Sequence, residues 1–162
     1  MSRVRAGEWV AAIGAVALLV LSFLNWFAVG FTTPGGAEVS GPGVSAWSAL
    51  GWFADVLVAV LVLGGLALSY MTIKRASPAW PVGAGVLTWL LGSLIFLVLL
   101  VRVTITQPGA DVLVSVQLPA YLGLVAAALV PVGGFLSLRD ERLDTPEARA
   151  YTPPPPRSVP GT

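Results

Sequence analysis

The chain has 162 residues, of which 56% are hydrophobic and 10% are charged. This composition is far more apolar than that of a typical soluble globular domain, which argues against a soluble fold. Cysteine and histidine are both absent, which removes disulfide bonds, thiolate nucleophiles, imidazole bases and the commonest transition-metal ligands. The net charge of +1 gives no bulk attraction to nucleic acid. We therefore expect no nucleic-acid partner, no cofactor and no enzymatic activity.

Four long apolar stretches follow one another along the chain. Each is close to the roughly 20 residues that a helix needs to cross a hydrocarbon core about 30 Å thick. We predict an all-α membrane protein whose residues 1–138 form a four-transmembrane-helix bundle. The predicted spans are residues 9–29, 47–70, 80–101 and 118–138. Residues 139–162 change abruptly to charged and proline-rich sequence, which predicts a disordered cytoplasmic tail.

The positions of the basic residues predict the orientation. They lie before the first span, between the second and third spans, and after the fourth: Arg3, Arg5, Lys74, Arg75, Arg139, Arg142, Arg149 and Arg157. The other two connections contain only Arg102 as a cation. By the positive-inside rule, we predict a multi-pass protein of the cell membrane with both termini in the cytoplasm.

Aromatic residues near the span ends agree with that orientation, because tryptophan and tyrosine favour membrane interfaces. The inner set is Trp9, Tyr70 and Trp80, and the outer set is Trp26, Trp47, Trp52 and Tyr121. Glu8, at the start of the first span, is expected to be a favourable charge at a helix N-terminus.

The first span also resembles a signal peptide, since Arg3 and Arg5 precede an apolar run that ends in Ala28-Val29-Gly30. However, the run is longer than a usual signal-peptide core. Asn25-Trp26-Phe27 also occupies the place where a small, polar cleavage region should begin. We expect the first span to be retained.

The connection between the third and fourth spans has a hairpin pattern. Residues 101–106 and 112–117 nearly alternate between apolar and polar types, and Pro108-Gly109 lies between them. The glycine-rich and proline-rich first connection could add an extended strand, since an isolated strand pair is marginal in water. We predict a small extracytoplasmic β-hairpin cap. Two flexible connectors are the alternative.

Asp55 is the most informative single residue, because it lies about four residues inside the outer end of the second span. An unpaired carboxylate at the centre of a membrane helix costs about 2.5 to 3.5 kcal/mol, and less towards the interface. Asn25 and Arg102 are at similar depth on neighbouring spans. We predict an ion pair between Asp55 and Arg102, with Asn25 adding hydrogen bonds, so that Asp55→Asn weakens folding. The functional interpretation of this intramembrane polar cluster is a site for an ion, a proton or a small polar ligand.

Small residues recur at four-residue spacing within the spans and predict close helix packing. The pairs and triplets are Ala11 with Ala15, Gly65 with Ser69, Ala84 with Thr88 and Gly92, and Gly123 with Ala127. Pro131 inside the fourth span is expected to kink the helix or to free a carbonyl.

The order of these features resembles the claudin-like tetraspan plan in architecture. Residues 47–52, Trp-Ser-Ala-Leu-Gly-Trp, partly match the claudin Trp-Gly-Leu-Trp signature, but the paired cysteines of that signature are missing. No claudin activity is implied. The richness in Ala, Val, Gly and Pro, the single lysine and the motif Asn25-Trp26-Phe27 resemble small uncharacterised four-helix membrane proteins of high-GC actinobacteria, a resemblance that implies no known reaction.

Two functions follow from these features. The first is a non-enzymatic scaffold or accessory subunit in the lipid bilayer, with a membrane-protein partner or a homo-oligomer and a cytoplasmic partner for the proline-rich tail. The alternative is an oligomeric channel or small transporter that uses the outer polar cluster.

Overall fold

The structure is a computed structural model that describes residues 6–32, 35–36, 38–73, 79–107 and 114–143. It is mostly helical, with a small three-stranded sheet. The helices are α1 (Ala6–Ser22), α2 (Ala46–Ala49), α3 (Trp52–Ile73), α4 (Ala79–Thr104) and α5 (Leu118–Leu143). The strands are β1 (Asn25–Thr32), β2 (Glu38–Ser45) and β3 (Val114–Val116).

Among the described residues, three helices are long and apolar enough to cross a membrane. The qualifying segments are Trp52–Ile73 of α3, Gly83–Thr104 of α4 and Leu118–Arg139 of α5, each of 22 residues. At the rise of an α-helix, each is about 33 Å long. α1 is apolar but has only 17 residues, which corresponds to about 25 Å.

α1 lies between α3 and α5, and α4 packs against the other sides of α3 and α5. α1 and α3 run in opposite directions, since the Ser69 hydroxyl, late in α3, donates to the Glu8 carbonyl, early in α1, at 2.8 Å. Buried residues from α1, α3, α4 and α5 form one core together with Trp26 and Phe27 of β1. The short α1 therefore packs against α3 and α5 along one side and contributes to the core of the bundle.

Small residues bring the helix backbones together, as their spacing predicts. A Cβ atom built on Gly133 would lie 2.7 Å from the Cβ of Ala11, and one on Gly65 would lie 2.9 Å from the Cβ of Ala15. Both distances are shorter than real contacts allow, so only glycine fits at these two positions. Pro131 lies inside the continuous α5 and packs against Gly92 of α4.

The prediction that the first span runs from residue 9 to residue 29 is wrong. α1 ends at Ser22, and Asn25–Thr32 form β1. Hydropathy is high in both segments, and a short apolar run does not by itself separate a helix from a buried strand. The aromatic and β-branched residues after Leu24 favour the strand.

The sheet has the order β2-β1-β3, with β1 antiparallel to both neighbours. The expectation that the first connection contributes a strand to a sheet is confirmed by β2, and β1 begins within the predicted first span and runs into that connection. The hairpin predicted from residues 101–106 and 112–117 is wrong, because α4 continues to Thr104 and Val114–Val116 pairs with β1. Alternation alone does not identify which strand becomes the partner.

The boundaries of the other three predicted spans differ from those of the helices by a few residues. The second predicted span is divided by Gly51, which has a φ of +83° and separates α2 from α3. α5 continues to Leu143, beyond the predicted end of the fourth span. The basic residues Lys74 and Arg75 and the tail from residue 144 onward are outside the described residues.

We expect Gly133→Ala to destabilise the protein by about 1–3 kcal/mol, because the new methyl group overpacks the contact between α1 and α5. Thermal unfolding in detergent micelles measures the effect. Gly83→Ala is the matched control, since a Cβ there meets no atom within 4 Å. Equal unfolding temperatures for the two variants would contradict the close approach of the helices.

Candidate functional site

The candidate site lies at the end of the helices that carries the sheet, which we call the sheet end. α1 ends here at Ser22, α3 begins at Trp52, α4 ends at Thr104 and α5 begins at Leu118. Every helix end leaves backbone groups without intrahelical partners. Where apolar surroundings exclude water, those groups need partners from the protein. The polar chemistry of the sheet end is therefore largely the pairing of helix-end carbonyls.

Arg102, in the last turn of α4, binds two of these carbonyls. Its Nε and Nη2 atoms donate to the carbonyl of Leu50 at 3.4 and 3.3 Å, and its Nη1 donates to the carbonyl of Thr106. The side chain is half-buried. A guanidinium can make these bonds together because its donors form a fixed planar fork. Arg102 thus joins the end of α4 to the junction of α2 and α3.

The Leu50 carbonyl is available because the chain breaks its helix at Gly51. The Leu50 amide donates to the Ala46 carbonyl at 2.9 Å and closes α2. The ladder of α3 starts one residue later, where the Asp55 amide donates to the Gly51 carbonyl at 3.1 Å. The positive φ of Gly51 permits this break, since a left-handed residue commonly ends a helix.

The predicted ion pair between Asp55 and Arg102 is not formed. Among the residues that the structure describes, the Asp55 carboxylate has no hydrogen bond or ion pair, and Arg102 binds backbone carbonyls instead. Asp55 lies in the first turn of α3 and is half-buried. A carboxylate in that position is stabilised by the helix dipole, so it does not require a basic partner.

Asn25 is also separate from the other two predicted site residues. It is the first residue of β1, it is exposed, and its register partner in β2 is Ser45. Its side chain lies directly over Gly43, where a Cβ atom would collide with the amide group. The three residues Asn25, Asp55 and Arg102 therefore form no hydrogen-bonded cluster in the described part of the chain.

Trp26 is a central residue of the sheet end, although the sequence predicted only that it lies near the outer interface. It is fully buried, and its indole Nε1 donates to the Leu21 carbonyl at 2.8 Å. Its ring covers α5 at Gly123, where a Cβ would lie 2.9 Å from the ring atom Cη2. The Trp26 carbonyl also accepts from the Gln117 amide at 2.8 Å. One residue thus connects α1, β1 and α5.

A β-bulge explains how Trp26 reaches the bundle. The register between β1 and β2 shifts between Asn25 and Phe27, so Trp26 is the additional residue. In a regular strand, consecutive side chains point to opposite faces. The bulge removes that constraint locally, and both Trp26 and Phe27 are buried.

Trp47 pairs with the same helix end through Ser22. Its Nε1 donates to the Ser22 hydroxyl at 2.8 Å, and that hydroxyl donates to the Leu19 carbonyl at 2.6 Å. The Trp47 ring also contacts Phe23, with ring centroids 5.9 Å apart. We call Trp26, Trp47 and Arg102 the sheet-end clasp, because each donates N–H groups to the end of a neighbouring helix.

A second set of polar side chains lies at the end of the bundle opposite the sheet. Glu8 is fully buried in the first turn of α1, although the sequence predicts only a favourable charge at a helix N-terminus. Thr72 and Ser137 are also buried at this end. The hydroxyl of Ser69 binds the Glu8 carbonyl, and the Thr72 hydroxyl donates to the Leu68 carbonyl at 3.0 Å.

The arrangement at the sheet end is suited to fixing elements in place. The indole N–H groups of Trp26 and Trp47 donate to a carbonyl and a hydroxyl, and all three nitrogens of the Arg102 guanidinium donate to carbonyls. No group of three or more acidic, histidine or cysteine side chains that could hold a metal ion lies in the described ranges. Neither Trp26 nor Trp47 carries a sequence motif that reveals its target, because a backbone carbonyl exposed by a helix end can belong to any residue type.

Comparison of the chain with protein-family models, with curated proteins and with solved structures finds no match.

Arg102→Gln should lower stability by about 1–3 kcal/mol, since it removes the charged donors from the Leu50 carbonyl. Asp55→Asn should change stability by no more than about 0.5 kcal/mol, as expected for a site without a partner. Chemical unfolding in detergent compares the two variants. Similar losses in both would restore the ion pair predicted from the sequence.

Trp26→Phe should cost about 1–3 kcal/mol, because it removes the bond to the Leu21 carbonyl and leaves space beside Gly123. The control is Trp52→Phe, at a side chain that is 79% exposed. Thermal unfolding, followed by circular dichroism, should separate the two variants. If Trp52→Phe is as harmful as Trp26→Phe, burial of the Trp26 indole does not explain the loss.

Proposed function

We propose that this chain is a non-enzymatic, four-span protein of the cell membrane that acts as a scaffold or accessory subunit of a membrane complex. Three helices have the length and hydropathy for spanning. The shorter α1 would complete the fourth passage together with the start of β1, since it lies between α3 and α5. Its exposed apolar side chains, including Ile13 and Val20, are suited to contact with lipid.

Both termini would lie in the cytoplasm. In the sequence, eight of the nine basic residues come before α1, between α3 and α4, or within or after the last turns of α5, which are the helix ends opposite the sheet. The sheet end has Arg102, whose guanidinium is bound to carbonyls. The positive-inside rule then orients the sheet away from the cytoplasm, where it forms an outer cap.

The observation that carries the scaffold proposal is the attachment of the sheet to the helices. β1 is joined to α1 and α5 through Trp26, and the helix after β2 is joined to α1 through Trp47. A sheet with these attachments keeps its position relative to the bundle. It can therefore present the edge strand β2 to another envelope protein as a preformed surface.

The alternative, an oligomeric channel or small transporter, has less support. The proposed polar cluster of Asn25, Asp55 and Arg102 is not assembled among the described residues. Around Gly133, the backbones of α1 and α5 are so close that no Cβ atom would fit between them. This packing does not favour a water-filled passage between the two helices. A channel would instead need a path between protomers.

The test uses the cysteine-free chain to place one label on the cap. Gly35, in the turn after β1, is exposed, and a side chain there meets no atom within 4 Å. Gly35→Cys would be labelled on intact cells with a membrane-impermeant maleimide that carries a photocrosslinker. We expect labelling without permeabilisation and, after irradiation, a discrete adduct with one other membrane or envelope protein.

Ser158→Cys, in the tail, is the matched control and should react only after the membrane is permeabilised. Reversed labelling would contradict the orientation but not the scaffold role. Correct labelling with adducts only to a second copy of the chain would favour the oligomeric alternative. Labelling from the expected side without any adduct would show that the cap is not a docking surface.

A further inference from the structure

An apolar groove lies between α3 and α4 and has a volume of about 310 Å³. Its walls include Gly64 and Ala67 of α3 and Leu87, Thr88 and Leu91 of α4, and Val130 of α5 contributes to its floor. Gly64 has no side chain to fill the space, and a Cβ built there meets no atom within 4 Å. The groove therefore exists because a glycine faces the gap between two helices.

The groove is continuous with the apolar outer surface of the two helices. Leu63 and Leu87 flank it and are 65% and 63% exposed. These side chains belong to segments long enough to cross a membrane. The groove opens near the middle of α3, since Gly64 is about equally far from Trp52 and Ile73. With these helices spanning the bilayer, as proposed above, the medium at that depth would be hydrocarbon.

Water is a poor occupant of this groove. A buried water molecule generally needs two to four polar partners. Among the described residues that line the groove, Thr88 is the single one with a polar side chain. A hydrocarbon chain needs no such partners, and it would regain the dispersion contacts that an empty groove lacks.

The size of the groove suits part of one acyl chain. An engineered apolar cavity of about 150 Å³ holds benzene, which has six carbons, so this groove has room for roughly a dozen. The lining segments, residues 60–67 and 87–95, are each about 10–12 Å long at the rise of an α-helix. An elongated apolar ligand fits these dimensions better than a compact one.

We propose that the groove between α3 and α4 is a binding site for one acyl chain of a membrane phospholipid, held at mid-membrane depth. The bound portion is the middle and end of the chain, because the groove lies far from both helix ends. Recognition is therefore independent of the phospholipid head group. Exchange of this chain is slower than that of lipid on the convex outer surface, since side chains surround it on two sides.

The full-length protein would be reconstituted in phosphatidylcholine nanodiscs that contain a trace of phosphatidylcholine with a diazirine near the end of one acyl chain. After irradiation, peptide mass spectrometry quantifies lipid adducts at each residue. We expect adducts on the lining residues Leu63, Ala67, Leu87 and Leu91 to exceed those on Leu94, which does not line the groove and is 60% exposed on the outer face. Replacing phosphatidylcholine by phosphatidylglycerol should leave the pattern unchanged.

Gly64→Leu fills the groove without meeting protein atoms at its Cβ. We expect its groove adducts to fall about tenfold, because a leucine there displaces several methylene contacts and roughly two account for that factor. Gly83→Leu is the matched control, since its Cβ also meets no atom within 4 Å and Gly83 is not among the residues that line the groove. It should retain the original pattern. Ala67→Leu provides a second groove-filling variant if Gly64→Leu fails to fold.

Four results would overturn the proposal. Groove adducts no more abundant than those at Leu94 would indicate ordinary bulk lipid. Equal losses in Gly64→Leu and Gly83→Leu would indicate a general effect of the added leucine. Groove adducts that appear only when each nanodisc holds a single copy of the chain would identify the groove as an interface with a second copy. Dependence on the head group would exclude a site restricted to mid-membrane depth.

Discussion

A helix that ends where water is scarce must find donors for its last carbonyls, and much of the sheet end follows from this requirement. α1 is too short to carry its C-terminus far into water if its start lies at the opposite interface. Its last turn is satisfied by the Ser22 hydroxyl, by the amides of Phe23 and Leu24, and by the Trp26 indole. The same need at the break before α3 is met by Arg102. At the sheet end, the polar side chains bind the backbone groups of helix ends. Their first role is therefore structural and not ligand binding.

Close backbone packing along the helices complements those attachments. Gly133 and Gly65 let α1 approach both neighbours, which strengthens dispersion contacts where the hydrophobic effect between helices is weak. α4 has a smaller share of buried residues than α3 or α5, and two apolar grooves lie beside it, one towards α3 and one towards α5. The bundle thus has a tightly packed side around α1 and a more open side around α4.

Long apolar segments were predictable, because helix length and hydropathy are directly constrained by bilayer thickness. The sheet was predictable in part, since β-favouring residues mark its strands. The pairing was not, because alternation in residues 101–106 suits either a strand or the last turns of a helix. For the candidate site, the sequence identified Arg102 as important but assigned it the wrong partner. Opposite charge suggested Asp55, whereas the available acceptor was the Leu50 carbonyl, which depends on the backbone geometry at Gly51.

The strand order also determines when the cap can be completed. β1 and β2 follow α1 directly, but β3 is separated from them in sequence by α3 and α4. Chains are made from the N-terminus, and earlier segments can fold first. The edge of β1 at Phe27, Ala28 and Val29 therefore stays open until Val114–Val116 have been translated. Completion of the sheet thus waits until α3 and α4 have been made, and a chain stalled before that step exposes an unpaired strand edge.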